Sequence, residues 1–124
     1  MAVKLVYVAR RRPELTPEEF REYFADGHAS LLRELQAVMG FRKYVQSHPL
    51  ETPVNAAFAK ARGMSLETPP DGVTELWWDS LEDLVAGFSG PDGEKAGRRL
   101  IEDEAKFIDF TTSRAFITQE RQVV

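Results

Sequence analysis

The chain has only two histidines, His28 and His48, and histidine is the side chain whose ordinary pKa lies nearest neutral pH. His28 lies in EEFREYFADGHASLL, residues 18–32, which otherwise has the pattern of one amphipathic helix. On a helical wheel it falls within the apolar arc marked by Phe20 and Phe24, near one edge. Two interpretations fit this position: a general acid or base facing a pocket, or a core histidine bonded to a carbonyl or hydroxyl group.

The residues beside His28 are small. Gly27 and Ala29 leave space that larger side chains would fill, and glycine inside a helix costs about 1 kcal/mol relative to alanine. We therefore expect the helix to be kinked at this point, or another part of the chain to pack closely against it. Burial would lower the pKa of His28, which would favour the neutral imidazole that a general base requires.

Four other side chains are candidate pocket walls. Phe24 shares the helix of His28, while Tyr44 and His48 share one face of the segment FRKYVQSH. That polar face could line a cavity, pair with a partner chain or form a solvated sheet edge. Trp77 and Trp78 lie on opposite faces of one predicted strand, so at most one of them contacts a ligand. We take Trp78 as the candidate, with core packing as the default for both indoles.

Other catalytic motifs are absent from the sequence. The chain has no cysteine, and no HxH or HExxH spacing supports a metal site. It contains no GxGxxG, P-loop or GxSxG motif, so we predict neither a metal nor a cofactor. Asp109, just before the last predicted strand, could orient a histidine, but the usual preference of aspartate favours a turn there.

A capping box marks the start of the helix that carries the first histidine. Thr16 is the predicted N-cap, Pro17 is the first helical residue, and Glu19 lies three residues past the cap. The helix can run to about Val38, where Gly40 offers a left-handed stop. These signals fix the position of the amphipathic helix along the chain.

The other predicted elements give the order β-α-β-β-α-(α)-β. Strands are predicted over residues 3–10, 41–48, 73–79 and 111–119. Further helices are predicted from Asp79 or Ser80 to Phe88 and, after a break at SGPDG, from about Glu94 to Phe107. Residues 49–72 contain four prolines and are predicted to form a long excursion with a helical turn. This order predicts an α+β, ferredoxin-like βαββαβ fold, in which helices cover one face of a four-stranded antiparallel sheet.

The composition indicates a single soluble domain over residues 1–124, with 43% apolar and 29% charged residues. No apolar run could span a bilayer and no leader pattern is present, so we expect no membrane partner and a cytoplasmic location. The net charge of −4 argues against nucleic acid. An RNA-binding domain of the same strand order would also need an aromatic-rich first strand, which is lacking. Val6 and Val8 face away from Tyr7 on the first strand, and their face is predicted to pair with a second copy of the chain.

Several blocks in order resemble the EthD family of the dimeric α/β-barrel superfamily: VKLVYVARRRPELTPEEFREYFADGHASLLREL, YVQSH, DGVTELWWDSLEDL and DEAKFIDFTTSRAFITQE. The resemblance runs nearly end to end, apart from residues 50–71. It implies a subunit whose open sheet face joins a partner's sheet to form a homodimeric barrel. It also implies that His28, Ala29, Ser30 and Leu31 correspond to the family's HAPL-like block, with Ser30 in place of the usual proline.

The resemblance implies a small-molecule role. The leading expectation is a cofactor-independent enzyme of lyase, cyclase or monooxygenase type, acting on a small aromatic or polyketide-like compound. His28 would be the general acid or base, and Phe24, Tyr44, His48 and Trp78 would contact the substrate. The alternative is a non-catalytic ligand-binding or accessory protein, because a fold does not fix a reaction.

Overall fold

The computed structural model describes residues 1–124, and its centre is a four-stranded antiparallel sheet. The strands are β1 (Val3–Ala9), β2 (Lys43–Ser47), β3 (Gly72–Trp78) and β4 (Arg114–Thr118). They lie in the order β2-β3-β1-β4, so the first and third strands are central. This arrangement confirms the predicted ferredoxin-like fold.

The helices follow the predicted order. They are α1 (Pro17–Tyr23), a π-helical turn (Phe24–His28), α2 (Ala29–Met39), α3 (Pro53–Ala61), α4 (Leu81–Gly87) and α5 (Gly90–Glu104). Helix α3 is the helical piece predicted within the proline-rich excursion. None of these helices combines the length and the apolar character needed to cross a bilayer.

The predicted capping signals are confirmed. The Thr16 hydroxyl accepts a hydrogen bond from the Glu19 amide, and the Glu19 carboxylate accepts one from the Thr16 amide. Gly40 ends α2 with a positive φ of 78°, the left-handed conformation that glycine adopts at little cost. Between these ends the helix is not uniform, because the π turn interrupts it close to the predicted kink at Gly27.

Four predicted boundaries were wrong by two to four residues. The predicted break after α4 is limited to Phe88 and Ser89, because α5 begins at Gly90 and tolerates Pro91 in its first turn, where no amide donor is needed. The same helix ends at Glu104 rather than Phe107. Strand β2 begins at Lys43 rather than 41. Strand β4 begins at Arg114 rather than 111, because Asp109 forms a turn with the residues that follow it.

The strand register determines which side chains face the helices. Tyr7 is opposite Thr74, and Thr74 is opposite Gln46, so the three lie in one row across β1, β3 and β2. Thr74 and Trp78 are buried in the alternating pattern of β3, which identifies this face as the one beneath the helices. Trp77 lies on the other face, as predicted from the strand period.

Two groups of buried side chains fill the space between helices and sheet. The apolar cluster consists of Leu32, Leu35, Met39, Phe41, Leu76, Trp78 and Ala96. The aromatic cluster consists of Ala9, Phe20, Phe24, Phe107 and Ile108. The π turn lies beside the aromatic cluster, because Phe24 belongs to it.

Candidate functional site

The π turn places His28 beneath the helix layer. π-helical turns inside α-helices often mark functional sites. Gly27 permits this close packing, because a Cβ atom at this position would lie 2.5 Å from Cε1 of Tyr23 and the ring would have to shift. The turn therefore places the Tyr23 ring over Gly27 and directs the His28 side chain into the interior.

His28 is held by an acidic residue of α5. His28 Nδ1 lies 2.8 Å from Oδ2 of Asp103, and both side chains are buried. The other carboxylate oxygen, Oδ1, accepts a hydrogen bond from the Tyr23 hydroxyl and lies 3.6 Å from Nζ of Lys106. Because a carboxylate only accepts hydrogen bonds, Nδ1 carries the proton and Nε2 keeps its lone pair in the neutral ring.

Nε2 of His28 reaches accessible space. The hydrogen bond of the ring uses Nδ1, and Nε2 has no partner within the chain. No buried side-chain nitrogen or oxygen in the structure lacks a hydrogen-bond partner. Nε2 therefore belongs to the small part of His28 that stays accessible, 5% of the residue. A ligand atom could contact this nitrogen without first breaking a protein hydrogen bond.

The surroundings of His28 favour its neutral form. Its ring centroid lies 5.0 Å from that of Phe107 and 6.1 Å from that of Phe24. Burial among these rings lowers the pKa of His28, and the neighbouring Asp103 opposes this shift without overcoming it. The imidazole is therefore a neutral base at pH 7.

A second pair of polar groups lies next to Asp103. Glu104, the following residue of α5, is only 7% exposed and lies beside Tyr7 of β1. Burial raises the pKa of Glu104 to about 7, and the Tyr7 hydrogen bond opposes part of this shift. Burial and the adjacent Glu104 raise the pKa of Tyr7 as well. Tyr23, bonded to Asp103, has its pKa raised to about 12, mainly by burial.

The structure brings three of the four predicted wall residues near His28 or its neighbours. Phe24 packs against His28, and the ring of His48 lies 5.2 Å from that of Phe24. Gln46 links the rest, since its Nε2 donates to the Phe24 carbonyl and to the Tyr44 hydroxyl, both at 2.6 Å. His48 Nε2 lies 3.0 Å from Oε1 of Gln46. Burial is the main cause of the raised pKa of Tyr44.

Trp78 is placed elsewhere. Its indole is 1% exposed in the apolar cluster, and its Nε1 donates to the Met39 carbonyl at 2.8 Å. Its ring packs against Phe41 and Phe88 rather than against His28. The contacts of Trp78 thus match the core packing that was its default interpretation.

Sequence reasoning missed the acidic partner of His28. Asp109, the carboxylate considered for that role, accepts hydrogen bonds from the amide and hydroxyl of Thr111 in the predicted turn. The partner is Asp103, one helical turn before Phe107. A signal was available, because Ala96, Leu100, Asp103 and Phe107 recur at helical spacing, and an acidic residue in such an apolar stripe needs a partner. Glu104 lies at the edge of the same stripe.

Two surface depressions are lined by neighbours of the buried residues, but neither is lined by His28, Asp103 or Glu104 themselves. One of about 500 Å³ is lined in part by Tyr23, Gly27, Lys106 and Phe107. A smaller one of about 160 Å³ is lined in part by Tyr7. A third, of about 470 Å³, lies at the excursion that contains α3 and is lined by none of the residues that contact His28. No group of three His, Cys, Asp or Glu side chains is arranged to hold a metal ion.

Comparison with known families identifies the family to which the chain belongs. The model of the EthD domain matches residues 12–111, which is most of the chain. The protein therefore belongs to the EthD family. No curated protein sequence matches it.

Solved structures share the fold at low sequence identity. An EthD family protein from Bacillus halodurans is 22% identical with a TM-score of 0.65, covering 98% of this chain and 100% of that one. A dimeric ferredoxin-like protein from Bacteroides fragilis is 14% identical with a TM-score of 0.59, covering 96% of each chain. SnoaB, a cofactor-independent oxygenase from Streptomyces nogalater, is 15% identical with a TM-score of 0.54, covering 99% of this chain and 96% of that one.

Proposed function

We propose that this protein is a cofactor-independent enzyme that moves a proton on a small aromatic or polyketide-like compound, with Nε2 of His28 as the general base. The observation that carries the proposal is the buried His28–Asp103 pair, whose Nδ1 is bonded and whose Nε2 is accessible. The reaction would be of lyase, cyclase or monooxygenase type.

The proton balance of the step is simple. Nε2 takes a proton from a phenolic hydroxyl or from a carbon next to a carbonyl group, and the substrate becomes an anion. The imidazolium that forms keeps its Nδ1 hydrogen bond to Asp103, whose carboxylate offsets the new positive charge. The proton returns from Nε2 to the product when the cycle closes. Tyr23 holds the other carboxylate oxygen and so fixes the orientation of Asp103.

The aromatic surroundings support a flat, apolar ligand. Phe24 and Phe107 flank the imidazole, and Tyr44 and His48 adjoin Phe24 through Gln46. Rings of this kind bind planar compounds by stacking and edge contacts. The likeness to SnoaB adds that a cofactor-independent oxygenase has this fold.

We also propose that two copies of the chain pair through the open face of the sheet. Val6, Glu75 and Phe116 are aligned across β1, β3 and β4 on this face, and Phe116 is 49% exposed. The salt bridge between Lys4 and Glu75, with Nζ–Oε2 at 2.7 Å, satisfies charges on the same surface. Two neighbours of this fold are described as dimeric. Sedimentation should give twice the mass of one chain, and Phe116→Asp should reduce it to that of a monomer.

Turnover of a substrate panel tests the enzymatic proposal. Phenols, phenolic acids and hydroxyaryl ketones would be incubated with the wild type, His28→Ala and the control Glu102→Ala, at an exposed position on α5. Loss of a general base should lower kcat/KM by about 100-fold or more in His28→Ala. The control should keep most of the activity. An equally active His28→Ala with a substrate that the wild type converts would contradict the proposal.

The tight packing around His28 favours a second candidate, a protein that binds a small ligand without converting it. Only 5% of His28 is exposed, which is little for a residue that must meet a substrate. This candidate predicts saturable binding in calorimetry with no product formed by any compound of the panel. Product formation that depends on His28 would exclude it.

A further inference from the structure

The depression at the π turn ends close to His28 without reaching it. It has a volume of about 500 Å³, and part of its wall is formed by Tyr23, Gly27, Lys106 and Phe107. The Phe107 ring also contacts His28, with 5.0 Å between the ring centroids. The Tyr23 hydroxyl is bonded to Asp103, the carboxylate that holds His28. The two aromatic rings therefore lie between the depression and the imidazole.

Phe107 is the fixed part of this wall. It is buried, and its ring packs against four other rings, those of Phe20, Tyr23, Phe24 and His28. Displacing Phe107 would leave a cavity in the aromatic cluster, which is strongly unfavourable in a close-packed interior. Any movement that joins the depression to His28 must therefore come from the other ring.

Tyr23 is the movable part of the wall. The residue is half-buried, and its ring packs edge-on against a single aromatic ring, that of Phe107, at 5.1 Å. On the side of Gly27 no side chain holds the ring in place. One hydrogen bond, from the Tyr23 hydroxyl to Oδ1 of Asp103, ties it to the interior. Rotation of the ring toward solvent exchanges this bond for one to water, and side chains at the surface change rotamer rapidly.

The carboxylate that Tyr23 would leave has a second donor beside it. Nζ of Lys106 lies 3.6 Å from Oδ1 of Asp103, the same oxygen that accepts the Tyr23 hydrogen bond. Lys106 is exposed and lines the depression, so its ammonium group can move closer when the hydroxyl leaves. A buried carboxylate that loses a partner without replacement is strongly destabilised, and the lysine supplies the replacement. Oδ2 stays bonded to His28 throughout.

We propose that this depression is the entrance of the ligand site and that Tyr23 is its gate, with Lys106 holding Asp103 while the gate is open. The inference rests on the small-molecule role proposed above. Rotation of the Tyr23 ring joins the depression to the imidazole beside Phe107. A flat substrate can then replace the tyrosine ring against Phe107. The gate accounts for a general base that is only 5% exposed when the gate is closed.

The reactivity of His28 toward diethyl pyrocarbonate tests the gate, because this reagent modifies an accessible neutral imidazole nitrogen and needs no substrate. The rate of modification at His28 would be measured by peptide mass spectrometry at pH 8, above the lowered pKa of the ring. Tyr23→Phe keeps the ring but removes its hydrogen bond to Asp103. The closed state is then less favoured, and the rate should rise about 5- to 30-fold.

Lys106→Met gives the decisive comparison, because the gate and a merely structural contact predict opposite results. Without the ammonium group, Asp103 has no replacement partner when Tyr23 leaves, so the open state is less favoured. The rate at His28 should fall about fivefold or more. Loss of an ordinary packing contact would leave the rate unchanged or raise it. The matched control Lys95→Met, an exposed lysine on α5, should stay within about twofold of the wild type.

Removal of the ring shows whether Lys106 acts through the gate. Tyr23→Ala should react at least as fast as Tyr23→Phe, and adding Lys106→Met to it should change the rate less than about twofold. Lys106 is exposed, so its variant answers the question even if a Tyr23 variant does not fold. An unchanged or higher rate in Lys106→Met, or no increase in Tyr23→Phe, would each overturn the inference.

The result is independent of catalysis by His28, because the modification rate is measured without a substrate. If the rate responds to Tyr23 and Lys106 as described but the wild type converts no compound of the panel, the gate stands and the enzymatic proposal fails. If turnover depends on His28 while its modification rate is independent of Tyr23 and Lys106, the enzymatic proposal stands and the gate fails.

Discussion

The two buried clusters lie under the same helix layer but differ in chemistry. In the apolar cluster the polar group is the indole nitrogen of Trp78, and the Met39 carbonyl satisfies it. The aromatic cluster borders His28, Asp103 and Glu104, three ionisable residues that are all less than 9% exposed. Burying such groups costs free energy that apolar residues of similar size would not cost. The difference fits a core whose apolar end stabilises the fold and whose other end is the site of the proposed chemistry.

The largest effect should come from the apolar end. Trp78→Ala removes a fully buried indole whose ring packs against Phe41 and Phe88. We expect the free energy of unfolding to fall by about 3–5 kcal/mol, measured by urea denaturation. Leu66→Ala, at an exposed position, serves as the control and should change it by less than about 0.5 kcal/mol. A loss below 1 kcal/mol for Trp78→Ala would contradict the stabilising role assigned to the apolar cluster.

At the other end of the core, replacement of the titratable Glu104 should stabilise the fold at high pH instead of destabilising it. The pKa of Glu104 in the folded chain is about 7, above its ordinary value of 4.5, so its contribution to stability is fully present below 4.5 and is lost as the pH rises through 7. Glu104→Gln stays neutral and should be more stable than the wild type at pH 9, by up to about 3 kcal/mol. At pH 4.5 the two should be nearly equal. Denaturation curves at both pH values measure the difference, and a constant difference would contradict the account.

Replacement of Asp103 tests how much its contacts with His28 and Tyr23 stabilise the fold. Asp103→Asn keeps the shape of the side chain but removes the charge that His28 and Tyr23 contact. We expect a loss of about 1–3 kcal/mol in the free energy of unfolding at pH 7, the cost of weakening buried hydrogen bonds. The exposed variant Asp83→Asn is the control. An unchanged stability would mean that the buried carboxylate does not organise this end of the core.

The smallest effect should come from the π turn. In Gly27→Ala the new methyl group would meet the Tyr23 ring, which must move away from its place over the turn. The gain in helix propensity partly offsets this strain, so we expect a loss of about 1 kcal/mol. The shift should also weaken the bond between Tyr23 and Asp103, which the fluorescence or NMR signals of Tyr23 would report. Gly63→Ala, at a distant turn, should leave those signals unchanged.

The sequence predicts the framework of this protein better than its site. The capping box at Thr16, the period of β3 and the apolar arc around His28 are local patterns, and each was confirmed because local physics determines it. The partner of His28 lies 75 residues away on another helix. No local pattern connects the two, since the contact depends on how α5 crosses the π turn. Only the unusual place of Asp103 in an apolar stripe signalled it.

The same limit applies to the predicted wall residues. Phe24 could be assigned near His28 because both lie on one helix face, one turn apart. The sequence could not exclude Trp78 from the residues near His28. The alternation of a strand shows which face a side chain occupies but not its position along the sheet. The register places Trp78 at the far end of β3 from Gly72. Its neighbours there are the residues of the apolar cluster.

An NMR titration of His28 in the wild type tests the central claim most directly. The account predicts that the ring titrates below its ordinary pKa of 6.5, because burial outweighs the nearby Asp103. It also predicts that the neutral ring carries its proton on Nδ1, since that atom is 2.8 Å from the carboxylate. A pKa of His28 at or above 6.5, or a proton on Nε2 in the neutral ring, would contradict the claim that His28 is a neutral base with an available nitrogen.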